Sequence, residues 1–129
     1  MLERFETIRM AQAMTAHAAT RTKIVAGNVA NADTPGYRAR DLTPFAESYR
    51  SAGAAPMRAT RPGHFGASHT GGPAPRVIGE SGGRAPNGNT VSLEEEMVRT
   101  AEIKREHEIS LAVYRSSLTM LRSALGRRG

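Results

Sequence analysis

Residues Asn28-Val29-Ala30-Asn31-Ala32-Asp33-Thr34-Pro35-Gly36-Tyr37 close one kind of chain and open another. Asn31 tolerates the left-handed conformation that ends many helices. Pro35 drives Thr34 out of the helical region. Pro35 and Gly36 suit the two central positions of a type II turn, the second of which needs a positive φ. Tyr37 then offers an apolar ring with a polar tip to pack beside the helix end. The stretch therefore predicts a helix stop followed at once by a tight turn.

Upstream, Ile8, Ala11, Thr15, Ala18, Thr22, Val25, Val29 and Ala32 follow one another at alternating spacings of three and four, a heptad seam. Its occupants are mostly small or polar, which predicts close helix approach and little burial free energy for one helix alone. A helix from about Glu3 to Val29 would be roughly 40 Å long.

Downstream, all 7 prolines and 10 of the 13 glycines fall between Asp33 and Val91, so the middle of the chain is hostile to helix. From Ala52 to Asn89 the only large apolar side chains are Met57, Phe65, Val77 and Ile78. So few anchors do not offset the ordering entropy of the segment, which is expected to be a long loop with at most a short β-hairpin. Gly71-Gly72 and Ser81-Gly82-Gly83 belong to that loop, since no strand before them or helix after them completes a phosphate cradle.

The last segment opens on Ser92-Leu93-Glu94-Glu95, the pattern of a capping box. Glu94, Glu95 and Glu96 at its start and Arg122, Arg127 and Arg128 at its end match the helix dipole. Met97, Thr100, Lys104, His107, Leu111, Tyr114, Leu118, Leu121 and Leu125 form its seam, and Ile109, Ala112, Val113 and Met120 widen the stripe beyond a two-helix contact. The expected fold is mainly α: two long terminal helices in an antiparallel coiled-coil-like hairpin, joined by the Gly/Pro-rich loop. The expected divisions are residues 1–32, 33–91 and 92–129.

A chain of 129 residues with 39% apolar and 5% aromatic content has room for one domain and little for a thick core. With no cysteine it has neither disulfides nor thiolate chemistry. Its net charge of +6 is spread, with 4 basic and 2 acidic side chains in residues 1–32, 7 and 4 in 33–91, and 7 and 6 in 92–129. A duplex reader would concentrate that excess on one face, so no nucleic-acid partner is expected. His17, His64, His69 and His107 have no carboxylate or cysteine at ligand spacing, so no metal is expected. Glu94, Glu95, Glu96, Glu102, Glu106 and Glu108 read as a solvated helix face rather than as catalytic carboxylates. Neither an enzyme, a cofactor nor a small-molecule substrate is expected. Met1-Leu2-Glu3-Arg4-Phe5-Glu6 lacks the apolar run of a cleaved secretory signal.

The pattern Asn28, Ala30, Asn31, Thr34, Pro35, Gly36 and Tyr37 after a heptad helix resembles the flagellar axial proteins, the rod, hook and filament-junction subunits. The short length, the continuation Arg38-Ala39-Arg40-Asp41-Leu42 and the entry Asn87-Gly88-Asn89-Thr90-Val91 into a Glu-rich helix look most like the basal-body rod family. The resemblance implies a structural subunit of the proximal rod in the basal body, in the periplasm, exported without a cleaved signal through the flagellar type III apparatus. It implies as partners other copies of the chain, other rod proteins, and the adapter that joins the rod to the inner-membrane ring. The expected assembly seam is Ile8, Ala11, Ala18, Val25 and Val29 with Met97, Leu111, Tyr114, Leu118, Leu121 and Leu125. Two alternatives follow from composition alone. One is a basic helical hairpin that binds nucleic acid or an anionic surface, which would show steep salt dependence. The other is a secreted effector outside the flagellum, which deletion would separate by leaving motility intact.

Overall fold

The computed structural model of the chain describes residues 2–52, 76–79 and 85–126. Expectations for Met57, Phe65, His64, His69, the glycine runs at 71–72 and 82–83, Arg127 and Arg128 lie outside the described residues. The elements in order are α1 (Leu2–Ala30), β1 (Arg40–Leu42), α2 (Phe45–Ala52), β2 (Val77–Gly79) and α3 (Leu93–Gly126). The fold is mainly helical as expected, with α1 packed along α3 and only a small two-stranded sheet. Thr15 meets Ser110 and Asn28 meets Glu96, so the two helices run antiparallel. No helix among the described residues is long and apolar enough to cross a membrane.

Two features of residues 33–91 differ from the expected turn and loop. Phe45–Ala52 is helical, with the Pro44 carbonyl accepting the amides of Glu47 and Ser48 at 3.1 Å. Phe45 and Tyr49, one turn apart, stack with centroids 5.4 Å apart, and Phe45 meets the edge of His17 at 5.6 Å. The aromatic contact to α1 is what an eight-residue helix needs and cannot supply for itself. The second difference is in the sheet. Val77 and Ile78 pair with Leu42 and Asp41 of β1, antiparallel, so the strand partner comes from before the loop.

The core is thin. Ala11, Ala18, Val25, Ala39, Leu42 and Ile103 are the buried apolar residues, and Ala18, Val25 and Ile103 form one cluster. On α3 the buried positions are Glu96, Ile103, Ser110 and Ser117, a strict seven-residue repeat. This face is one residue, about 100°, away from the seam that begins at Met97. Met97 and Leu125 are 73% and 71% exposed, while Leu111, Tyr114, Leu118 and Leu121 are half-buried at the edge. On α1, Ala11, Ala18 and Val25 are buried as seam residues, Ile8 is half-buried and Val29 is exposed.

The physical reason is size. Ala11, Thr15 and Ala18 let α3 come close, and a close approach selects Ser110 and Ser117 opposite them rather than leucines. Thr15 and Ser110 then share a hydroxyl hydrogen bond of 2.9 Å, and Ser110 also donates to the His107 carbonyl at 2.7 Å. Ile103→Ala should therefore lower unfolding free energy by about 2 kcal/mol. Met97→Ala should change it by less than about 0.5 kcal/mol. Chemical denaturation followed by helical circular dichroism checks both, and equal effects would reject the one-residue rotation of α3.

Candidate functional site

The motif at the end of α1 is built as a turn held from outside. Tyr37 N–H donates to Thr34 O at 3.2 Å across Pro35 and Gly36, and Gly36 has φ +72°, as a type II turn requires. The left-handed cap expected at Asn31 is absent, since the positive φ values among the described residues belong to Gly36 and Gly88. Instead the helix tightens: Ala32 N–H reaches Val29 O at 3.2 Å, and Thr34 N–H reaches Asn31 O at 3.0 Å. The Asn31 side chain donates back to Gly27 O at 2.8 Å, so its amide, not its backbone freedom, closes the helix. Ala30, Thr34, Pro35 and Gly36 are exposed, and Tyr37 is half-buried.

Asn89 supplies the outside support. Its side-chain amide faces the carbonyls of Asn31, Ala32 and Thr34 at 2.9, 2.7 and 2.8 Å, and the residue is buried. Its own carbonyl oxygen accepts the Val91 amide at 2.7 Å. One side chain from the entry to α3 thus reaches three carbonyls just past the exit of α1, of which Asn31 and Thr34 also accept a turn amide. Gly36 N–H donates to Asn87 O at 3.0 Å, and Gly88, at φ +79°, lies against Gly36. Thr90 N–H donates to Tyr37 O, and the Thr90 hydroxyl accepts the Ala39 amide at 2.8 Å.

One turn deeper, Asn28 is fully buried. It donates to Arg40 O at 2.7 Å and to Glu96 Oε1 at 3.1 Å, and its oxygen accepts the Arg40 amide at 3.1 Å. Glu96 is 1% exposed and takes Arg99 Nη1 at 2.6 Å. The reading of Glu96 as part of a solvated acidic face is corrected by this burial: among the glutamates it is the one whose heptad position faces α1. Ser92 accepts the Glu95 amide only at 3.5 Å, and the Glu95 carboxylate approaches Arg99 at 3.7 Å instead of completing the capping box.

Asp41 on β1 closes the set. Arg21 of α1 grips it with two bonds of 2.8 Å, Arg99 of α3 lies at 3.9 Å, and Arg21 also approaches Glu106 at 3.4 Å and Glu102 at 3.7 Å. Burial pushes the Asp41 carboxyl up, but the Arg21 hydrogen bonds, the Leu42 amide and the charges of both arginines outweigh it and hold it below the usual carboxylate range. The bonds to Asp41 in turn raise Arg21 above its ordinary value against the opposing effect of burial.

These groups hold elements together. His17, buried, donates from Nε2 to Thr43 O at 2.9 Å, which commits it to anchoring α2. Among the described residues no group of three histidines, cysteines or carboxylates is placed to hold a metal. The shallow depression beside the ion pairs is open and lined by Arg21, Glu94, Glu95, Val98, Arg99 and Glu102. The sequence singles out Asn28 and Tyr37, offers Asp41 and Asn89 only as parts of the stretches that carry the resemblance, places Glu96 on a solvated face and gives Arg21 and Arg99 no role. The i, i+3 pair Glu96 and Arg99 was the available signal, and it became meaningful only once α1 lay across it.

Asn89→Ala should cost about 1–3 kcal/mol by removing the side-chain partner of the Ala32 carbonyl and the Val91 amide, and Asn89→Asp at least as much, because a carboxylate would face three carbonyls. Thermal unfolding of the two variants checks the order. Asp41 ionises more easily folded than unfolded, so its stabilisation is complete above its unfolded value near 4 and is lost as pH falls through its folded value. Asp41→Asn should cost about 3 kcal/mol at neutral pH, and its difference from the parent chain should shrink in acid. Paired denaturation curves from neutral pH to below pH 4 measure this.

A family model described as flagella basal body rod protein matches residues 10–38, which includes the seam of α1 from Ala11 onward and the whole turn motif. Over 111 residues the chain is 38% identical to the flagellar basal body rod protein FlgB of Cereibacter sphaeroides, covering 82% of this chain and 83% of that one. It is 33% identical over 105 residues to that of Agrobacterium fabrum, covering 78% of each. With that of Salmonella typhimurium it shares 30% identity over 139 aligned positions and 97% of each chain. The matches run through both the turn at the end of α1 and the entry to α3 that clamps it, and the chain belongs to the flagellar basal body rod protein family.

Proposed function

We propose that the chain is a non-enzymatic structural subunit of the proximal rod that polymerises through its terminal helices. Family membership supports the rod role, and the observation that carries polymerisation is the placement of apolar side chains. Leu93, Met97, Val98, Ile109, Met120 and Leu125 are all exposed on α3, while the face turned to α1 is polar or small apart from Ile103. Such a helix gains by covering that surface with neighbours.

In this reading residues 1–32 and 92–129 build the axial wall, and residues 33–91 form the insert between them. Ala11, Ala18 and Val25 hold the hairpin, whereas Val29, Met97, Leu111, Leu118 and Leu125 contact neighbouring subunits, with Ile8, Tyr114 and Leu121 at the margin. The neighbours are other copies, other rod proteins, and the adapter and inner-membrane ring at the base. Delivery is through the flagellar type III apparatus, without cleavage of a signal.

Met97→Asp should leave the isolated chain folded and abolish rod assembly and motility. Val25→Asp should fail earlier, because it buries an unpaired charge in the hairpin. Motility with basal-body microscopy in a deletion strain carrying each variant decides, and normal rods with Met97→Asp would reject this surface as an assembly face. Intact rods in the deletion strain itself would reject the rod role.

A further inference from the structure

Of the chain's four asparagines, Asn87 alone is followed by glycine. Asparagine is a thermolabile residue, and a following glycine exposes it most, because no Cβ shields the glycine nitrogen and the backbone can swing toward the side chain. Asn87 is itself exposed, and it lies in the loop that clamps the exit of α1. In the docked loop the atoms that would react are engaged elsewhere. Gly88 N–H donates to Ala85 O at 2.8 Å, and Asn87 Oδ1 accepts the Asn89 amide at 3.1 Å. Ala85 N–H donates to Asn89 O at 2.9 Å, which closes the loop, and Gly36 N–H donates to Asn87 O at 3.0 Å, which fixes it on the turn. The Asn89 side chain fastens it to three carbonyls just past α1.

We infer that Asn87 is a site of spontaneous deamidation, held shut while residues 85–90 are docked on the exit of α1. The reaction needs only water and hydroxide. Gly88 N gives its proton to hydroxide and attacks Asn87 Cγ. A bond forms between those atoms, the bond from Cγ to Nδ2 breaks, and Nδ2 leaves as ammonia after taking a proton from water, which returns the hydroxide. The five-membered imide then adds one water and opens at either carbonyl, leaving aspartate or isoaspartate at position 87. Its first step, removal of the Gly88 proton by hydroxide, is shared with amide hydrogen exchange. An amide bonded as this one is must open first, so reactivity follows the opening of the clamp. The isoaspartyl product in turn prevents reclosure. It routes the main chain through Cγ and so adds one methylene before Gly88. A Cβ at Gly88 would already sit 3.6 Å from Gly36 Cα, so the two backbones are at contact distance and a longer chain displaces Asn89 from its carbonyls. A chain that spends time undocked is marked and loses its clamp, whereas a docked chain is spared. None of this depends on the rod role.

The full chain would be incubated at mildly alkaline pH, folded and in guanidinium chloride, with conversion at each asparagine followed by peptide mass spectrometry. Hydrogen exchange of the Gly88 amide would be measured on the folded sample. Asn87 should convert in denaturant ahead of Asn28, Asn31 and Asn89, and in the folded chain it should slow by the factor that protects the Gly88 amide. Asn89→Ala should speed conversion of the folded chain about tenfold and leave the denatured rate unchanged. The comparison within the parent chain needs no variant and stands whether or not Asn89→Ala folds. Equal rates folded and denatured would overturn the gate, as would a slowing unrelated to Gly88 protection. An Asn87 that stays intact in denaturant would overturn the site itself. Chain aged in denaturant and refolded should melt at a lower temperature than fresh chain, and Asn87→Ser should remove that difference. An unchanged melting temperature after conversion would overturn the loss of the clamp.

Discussion

The carboxylate of Asp41, gripped by Arg21 and close to Arg99, is the point at which α1, β1 and α3 are tied to one another. A buried charge is tolerated only where its partners are in position, and here they come from the two long helices. The apolar alternative is weak, because the cluster of Ala18, Val25 and Ile103 is too small to set the relative placement of two long helices. Remove the ion set and what remains between the helices is that small cluster, the Thr15–Ser110 hydroxyl pair and the amides of Asn28 and Asn89. The amides extend the same logic toward the helix ends. Asn28 ties α1 to β1 and to Glu96, and Asn89 ties the exit of α1 to the entry of α3.

This polar specification of the inside has a consequence for the outside. Apolar side chains that a two-helix protein would spend on its own seam are left half-buried at its edge, as Leu111 and Leu118 are, or exposed, as Met97 and Leu125 are. A hairpin built this way is specific in geometry and modest in stability, and it gains stability from whatever covers its flanks, by mass action. That arrangement suits a subunit whose fold is completed by its neighbours. In the proposed rod, order at the turn motif and order at the subunit contact are linked through α3, since its first turns hold the clamp and its later turns carry the apolar flanks.

Much of the architecture was legible in the residues. Proline and glycine confined to the middle marked both helices, and Thr34-Pro35-Gly36-Tyr37 announced the turn that closes the first. The short helix at Phe45–Ala52 was missed although Phe45 and Tyr49 stand one turn apart, because its stabilising partner, His17, is 28 residues away from Phe45 in the chain. Glu96 was misread for the same kind of reason. In sequence it is the third of three glutamates at a helix start, and only the crossing of α1 separates it from its exposed neighbours.

By itself the sequence determined the two long helices, their order and the turn at Thr34–Tyr37, because propensity, proline and glycine geometry and heptad spacing are local properties, and its turn motif carried the family resemblance. The tertiary structure alone decided which face of α3 meets α1. Periodicity reports that an apolar stripe exists, but not which neighbour covers it. Here small residues on α1 and the ion set around Asp41 select the largely polar face of Glu96, Ile103, Ser110 and Ser117 and leave the stripe at its edge or exposed. That choice depends on contacts between residues as distant as Arg21 and Glu106, and no window of sequence contains it.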